Sequence, residues 1–178
     1  NEIIRPMING MAADGIPFQG CLYCGLMLTK DGPRVVEFNC RFGDPETQVV
    51  LSVLEGSLLK LLHSAASGRI DKKAVSAGNR AAVCVIAASS GYPWSFKKGF
   101  EIKGLDDISE NSVVFHAGTS ISDDKIITSG GRVFAMTSIS KNGDLIAAVE
   151  QCYDDLSRVG FDNIYYRKDI AHRALKLL

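Results

Sequence analysis

The run Val35-Val36-Glu37-Phe38-Asn39-Cys40-Arg41 gathers the residue types best suited to chemistry in this sequence. Read as a strand, it sends Glu37, Asn39 and Arg41 to one face and Val36, Phe38 and Cys40 to the other. A carboxylate and an amide oxygen two residues apart are hard oxygen donors, the kind Mg²⁺ accepts beside nucleotide phosphates. An Arg one step further can fork onto a phosphate or carboxylate in the same cavity. Gly43-Asp44-Pro45-Glu46 follows, where a glycine permits close backbone approach and a helix N-terminus offers N–H groups to an anion. The same pattern also describes an edge strand with solvated polar residues followed by a capped helix. On residue types alone both readings stand.

A hairpin must position this run. Residues 19–29 read as a long strand, Lys30-Asp31-Gly32-Pro33 as the turn, and residues 34–40 as the returning strand. Upstream, residues 8–15 read as the last turns of a helix ending in Gly15. Downstream, Pro45 suits the first position of a helix with Asp44 as its N-cap and Val49, Val50, Val53 and Leu54 as its apolar face. The pattern breaks near Gly56, and Leu58, Leu59, Leu61 and Leu62 begin a second helix that ends around Gly68.

Residues 69–79 are polar and turn-like and predict a domain boundary. Beyond it, short β-type runs at 81–88, 113–117, 126–128 and 132–139 are separated by Ser89-Ser90-Gly91-Tyr92-Pro93 and Ser129-Gly130-Gly131. Residues 145–159 form an amphipathic helix with Leu145, Val149, Cys152, Tyr153 and Leu156 near one side, and a last short helix starts at about Asp169 and runs to the end. The reading is an α+β chain of two parts: residues 1–75, a hairpin with helices, and residues 76–178, a small, mostly antiparallel β unit with closing helices.

Composition narrows the function. Lys plus Arg number 20 and Asp plus Glu number 20, so no net field favours nucleic acid or an anionic membrane. The apolar runs fall far short of the roughly 18–20 residues that span a bilayer. An odd set of five cysteines in apolar stretches suits buried, reduced thiols in a cytoplasmic protein better than a disulfide framework. Cys21 and Cys24 form a lone CxxC, but on a strand they point to opposite faces and cannot share a metal. His116 in an apolar strand and His63 on an apolar helix read as packed or capping residues.

Glu37-Phe38-Asn39-Cys40 followed by Arg41-Phe42-Gly43-Asp44-Pro45-Glu46-Thr47-Gln48 resembles the characteristic run of the phosphoribosylamine–glycine ligase family, within the ATP-grasp superfamily. The resemblance continues in order through 10–15 (GMAADG), 22–27 (LYCGLM), 91–93 (GYP), 114–119 (VFHAGT), 130–133 (GGRV) and 166–170 (YRKDI), and so covers essentially the whole chain.

The resemblance implies that residues 1–75 are the C-terminal half of an ATP-grasp domain and residues 76–178 the small domain that follows it. It implies a reaction in which glycine, 5-phosphoribosylamine and ATP give glycinamide ribonucleotide, ADP and phosphate through a glycyl phosphate, an early step of purine synthesis. Carried over residue by residue, it gives Glu37 and Asn39 as ligands of Mg²⁺ or Mn²⁺, and Arg41 as the catalytic cation beside the transferring phosphoryl group. Phe38 and Leu26, or Met27, line the nucleotide pocket, and Gly43, Asp44, Pro45 and Glu46 shape the substrate loop. The loop with Tyr92, Pro93, Lys97 and Lys98 could reach the ribose phosphate or be a surface turn; Arg167, Lys168 and Asp169 read as structural, with Asp169 capping the last helix. The family's glycine-rich phosphate-covering lobe has no counterpart here and the first residue is Asn1 rather than Met, so the expectation is a piece of a longer polypeptide, inactive alone. Another ATP-grasp carboxylate–amine ligase and a non-catalytic fragment stay open as alternatives.

Overall fold

A computed structural model describes residues 2–177; Asn1 and Leu178, the outer ends of the two expected parts, lie outside the described residues. In chain order the elements are α1 (Ile4–Ala13), β1 (Tyr23–Thr29), β2 (Gly32–Asn39), α2 (Glu46–Val53), β3 (Leu54–Gly56), α3 (Leu58–Ala66), β4 (Val75–Ala77), β5 (Ala81–Ser89), β6 (Ser112–His116), β7 (Thr119–Ser122), β8 (Lys125–Thr128), β9 (Arg132–Ser140), α4 (Leu145–Arg158), β10 (Ile164–Tyr165) and α5 (His172–Leu175). The fold is α+β. The chain divides into two compact units: one runs up to Asp44 and adds Glu55–Ser76, the other takes Pro45–Leu54 and continues from Ala77.

In the first unit, helix α1 closes in a Schellman motif. Gly15, at φ +77°, lets Ile16 N–H reach Met11 O (3.0 Å) and its own N–H reach Ala12 O (3.1 Å). The antiparallel pair β1–β2 is shorter at its start and tighter at its turn than the sequence suggests. Residues 19–22 are not in the ladder, because Gln19 turns its side-chain amide to the C-terminal carbonyls of α3, donating to Ala65 O at 3.0 Å and to Ala66 O. The turn is Lys30-Asp31 alone: Thr29 already pairs with Gly32, whose φ of +96° accommodates the reversal, and Pro33 lies in the strand opposite Leu28. Helix α3 is capped by Ser57, which accepts from Lys60 N–H at 3.2 Å. Among the described residues of this unit only Gly43 and Ala74 are buried, while Leu28 is 82%, Leu59 79% and Val36 65% exposed.

The second unit holds the core. Its antiparallel sheet runs β10-β5-β9-β6, with β7–β8 as a separate hairpin. Helices α2 and α4 both pack on β5 and β9, and the two strands are buried at successive positions, as expected where both faces are covered. Val83, Val85, Ala87, Val133, Phe134 and Met136 meet Ala148, Val149, Cys152 and Leu156 in one cluster. Asp144 caps α4 by accepting from Ala147 N–H at 3.0 Å. The sequence reading misses β7, whose Thr-Ser-Ile-Ser is short and polar; the reversal into β8 uses Asp123 and Asp124, both at positive φ. It also misses β10, only two residues long.

Two helix starts differ from expectation. Pro45 occupies the N-cap position of α2, at φ −101° and ψ 18°, and Glu46 is the first helical residue, so Asp44 stands one step outside. Helix α5 begins at His172 behind Ala171, a left-handed residue, so Asp169 does not cap it and instead pairs with Arg167. Among the five free cysteines, Cys84 and Cys152 are buried as expected, Cys21 and Cys24 are half-buried, and Cys40 is exposed. Cys21 precedes β1, so the opposite-face argument for the CxxC does not describe it.

Candidate active site

The hairpin register assembles the candidate site. Tyr23 pairs with Asn39, Cys24 with Phe38 and Gly25 with Glu37; the register then slips, so that Leu26 faces Val35 and Val36 is the extra residue of a bulge. Directly opposed residues share a face, which puts Tyr23, Gly25, Glu37 and Asn39 together and Cys24, Leu26 and Phe38 on the other side. Met27 falls on the face of Glu37, so of the two candidates on β1 it is Leu26 that accompanies Phe38. Leu26 and Phe38 are about two-fifths exposed, at 42% and 39%.

Glu37 and Asn39 are in contact. The Asn39 amide nitrogen donates to Glu37 Oε1 at 2.9 Å, which turns the amide oxygen of Asn39 away from that bond and leaves the second carboxylate oxygen of Glu37 clear of it. The pair thus offers two oxygen donors from one face. Among the described residues no three His, Cys, Asp or Glu side chains cluster. A two-donor set of this kind fits Mg²⁺, which takes one or two protein oxygens and completes its shell with phosphate oxygens and water.

Arg41 does not extend the alternation, because β2 ends at Asn39. It lies exposed in the following bend, with Nη1 donating to Phe42 O at 2.7 Å. That bond occupies one of five guanidinium donors. Gly43 is buried and Asp44 exposed, closing this stretch of the first unit. Half-buried Pro45 and exposed Glu46 open α2 in the second unit. The first unit also has an apolar groove of about 600 Å³ lined by Cys21, Phe42, Leu61, Leu62, Ala65 and Ile70.

The remaining candidates separate. His63 is exposed in the last turn of α3, and exposed His116 Nδ1 sits 3.1 Å from Thr119 Oγ1, so neither is packed. Arg167 and Asp169 form a two-bonded ion pair at 2.8 and 2.7 Å, which lowers the carboxyl pKa of Asp169 and raises that of the guanidinium. Lys97 lines a cavity of about 420 Å³ in the second unit, together with Ser89, Ser90, Ser95, Asp162 and Asn163. Sequence reasoning noticed the lysine but not Asp162 or Asn163, which lie 65 and 66 residues further on; the one local signal is the left-handed Asn163, at φ +64°. It also passed over Gly25, whose partner is visible only once the register is known.

The family model for phosphoribosylglycinamide synthetase, C domain, matches residues 82–173, and the model for the ATP-grasp (A) domain of the same synthetase matches residues 1–47. A phosphoribosylamine–glycine ligase of Caldanaerobacter subterraneus subsp. tengcongensis is 47% identical over 171 residues, covering 96% of this chain and 40% of that protein. The trifunctional purine biosynthetic protein adenosine-3 of Gallus gallus is 44% identical over 182 residues, 99% of this chain and 18% of the relative. The crystal structure of phosphoribosylamine–glycine ligase from Thermotoga maritima superposes with a TM-score of 0.75 at 31% identity, covering 90% of this chain and 39% of that one. The chain therefore spans about two-fifths or less of the length of these relatives. On the C-domain match, which takes in more than half of its residues, the chain belongs to the phosphoribosylglycinamide synthetase family.

Proposed function

We propose that this chain carries part of the active site of an ADP-forming ligase that joins glycine to 5-phosphoribosylamine in the cytoplasm. The observation that carries the reading is the Glu37–Asn39 pair, two oxygen donors on one strand face within the segment that matches an ATP-grasp model. In this reaction a glycine carboxylate oxygen attacks the γ-phosphorus of ATP and ADP leaves. The amine nitrogen then attacks the acyl carbon, phosphate departs and the nitrogen gives up a proton. Several negative charges converge in the first step, so fixed cations lower its barrier.

Glu37 and Asn39 would hold Mg²⁺, or Mn²⁺ in its place. The ion's contribution when bound is to offset polyphosphate charge. Arg41, with four donors to spare, steadies the transferring phosphoryl group. Phe38 and Leu26 form the apolar wall for the nucleotide. Gly43, Asp44, Pro45 and Glu46 shape the glycine loop, with Asp44 or Glu46 meeting the glycine amine. We assign residues 1–75 to the ATP-grasp half and residues 76–178 to the small domain.

The exposed apolar side chains of the first unit support a longer working polypeptide. Leu28 at 82%, Leu59 at 79%, Val36 at 65% and Met27 at 55% exposure are large apolar side chains that a further segment of a longer polypeptide would cover. The upstream half of the enzyme, in the same or another chain, is that segment in this reading, and it brings the remaining phosphate ligands. The test is ADP release from ATP, Mg²⁺, glycine and phosphoribosylamine, comparing this chain with the longer polypeptide. ADP release that depends on both glycine and phosphoribosylamine in the longer form, and is absent from this chain alone, is expected. Absence of ADP from both would sink the reading.

A further inference from the structure

Tyr23 stands beside the Glu37–Asn39 pair, and nothing above gives it a role. Its Cα pairs with that of Asn39 across the hairpin, and Gly25, two residues on, pairs with Glu37. Tyr23 therefore shares a face with both oxygen donors. Its ring leans along the strand toward Gly25. A Cβ on Gly25 would lie 3.6 Å from Tyr23 Cε1 and 3.1 Å from Glu37 Cγ. The ring edge and the stem of Glu37 thus come together over a residue that has no side chain of its own.

This arrangement differs from ordinary sheet packing. An aromatic side chain that only strengthens a ladder packs on an aromatic or β-branched residue directly opposite. Opposite Tyr23 stands Asn39, and the ring reaches past it to the diagonal neighbour, Glu37. Glu37 is exposed, and a carboxylate on a long, solvated stem samples several rotamers. Two contacts narrow that choice. Asn39 donates to Oε1 at 2.9 Å and fixes the head, while the Tyr23 ring borders the stem at Cγ. Tyrosine suits the second task, because its ring is large and only two torsions have to be fixed. Tyr23 itself is half-buried, which restricts those torsions further.

We propose that Tyr23 is a positioning residue for divalent-cation binding: its ring walls the Glu37 stem on the Gly25 side, so that the carboxylate is presented in one orientation. The inference rests on the metal role proposed above for Glu37 and Asn39, and adds a residue that acts only through Glu37. Contact is made by the ring edge, so the ring rather than the hydroxyl carries the effect.

The test uses the longer polypeptide with Mn²⁺ and ATP in the absence of glycine, read by water-proton relaxation, which needs no turnover. Tyr23→Ala should weaken Mn²⁺ binding about tenfold. The Mg²⁺ concentration for half-maximal ADP release should rise by a similar factor, while kcat at saturating Mg²⁺ stays within about twofold. Tyr23→Phe keeps the ring and should restore Mn²⁺ affinity to within about twofold of the parent. Tyr23→Leu keeps an apolar side chain in the ladder but is too short to reach over Gly25. It should lose as much as Tyr23→Ala, and it replaces that variant if the smaller side chain does not fold. In a Glu37→Ala background, Tyr23→Ala should have no further effect, since the group it holds is gone.

Normal Mn²⁺ binding in Tyr23→Ala and Tyr23→Leu overturns the proposal, as does a loss in Tyr23→Phe equal to that in Tyr23→Ala. Additive losses in the Glu37→Ala background also overturn it, because the ring would then act by another route. The metal reading is scored separately by Glu37→Ala alone. If that variant binds Mn²⁺ normally, the reading itself fails; if it binds weakly while the Tyr23 variants bind normally, only the positioning role fails.

Discussion

Gly25 stands directly across the hairpin from Glu37, and a Cβ on Gly25 would lie 3.1 Å from Glu37 Cγ. The absence of a side chain on one strand leaves room for the carboxylate on the other. Gly25→Ala should therefore push Glu37 out of position by a few tenths of an ångström while leaving the ladder intact. In the longer polypeptide, turnover at limiting Mg²⁺ should fall about tenfold, with a smaller loss at saturating Mg²⁺. Unchanged Mg²⁺ dependence in Gly25→Ala would show that Glu37 is not held in place by this contact.

Asn39 and Glu37 make a second prediction. The amide donates to the carboxylate at 2.9 Å, so the pair is neutral against negative and attractive. Asn39→Asp replaces the donor with a like charge at the same distance. Folding should barely change, because the pair is solvent-accessible and repulsion between exposed charges is screened. Mg²⁺ affinity should change strongly, and Asn39→Ala, which loses a donor oxygen, should weaken it about tenfold to a hundredfold. Glu37→Gln should do the same or more. Titration of Mg²⁺ against ATP-dependent ADP release in the longer polypeptide checks all three, and normal titration in both Glu37→Gln and Asn39→Ala would remove the metal assignment.

How far the sequence carried can be judged on these residues. The alternation that places Glu37 and Asn39 on one face is local, depends only on the period of a strand, and is present in the structure. Four features depend on non-local information. The bulge at Val36 and the pairing of Gly25 with Glu37 need the register. The early end of β2, which takes Arg41 out of the alternation, depends on where pairing with β1 stops. The cavity joins Lys97 to Asp162 across the sheet end, a relationship no window of the sequence contains. Neither helix cap expected from the sequence is present: Pro45 takes the position expected of Asp44 at α2, and Asp169 does not cap α5. There the carboxylate found a stronger partner in Arg167 two residues back.

Asp155 is fully buried in α4 and accepts hydrogen bonds from Ser109 N–H at 3.0 Å and Gln151 Nε2 at 3.1 Å, with Arg158 Nη1 3.8 Å away. It ties the 104–111 loop to the helix. Asp155→Leu leaves the half-buried Ser109 N–H without its acceptor, while Arg158 keeps its ion pair with Asp154, at a cost of about 1–3 kcal/mol. Asp155→Asn keeps one acceptor and should cost about 1 kcal/mol. Urea unfolding of the two variants gives the comparison; equal stability would mean the Ser109 bond contributes nothing.

Cys152 provides a pH-dependent signature. Its side chain is completely buried, with Sγ 3.5 Å from Met136 O, and desolvation pushes the thiol pKa up to about 12. A thiol-reactive reagent at mildly alkaline pH should consume exposed Cys40 first, then half-buried Cys21 and Cys24, and leave Cys152 unmodified until the chain unfolds. The linkage has a definite sign. The folded state keeps its proton to higher pH than the unfolded state, so this stabilisation is complete below the ordinary thiol pKa and fades as pH rises toward about 12. Cys152→Ala should flatten that alkaline loss, measured as the change in urea midpoint between neutral pH and about pH 10.5, relative to the parent. An equally steep loss in the variant would assign the alkaline instability to other groups.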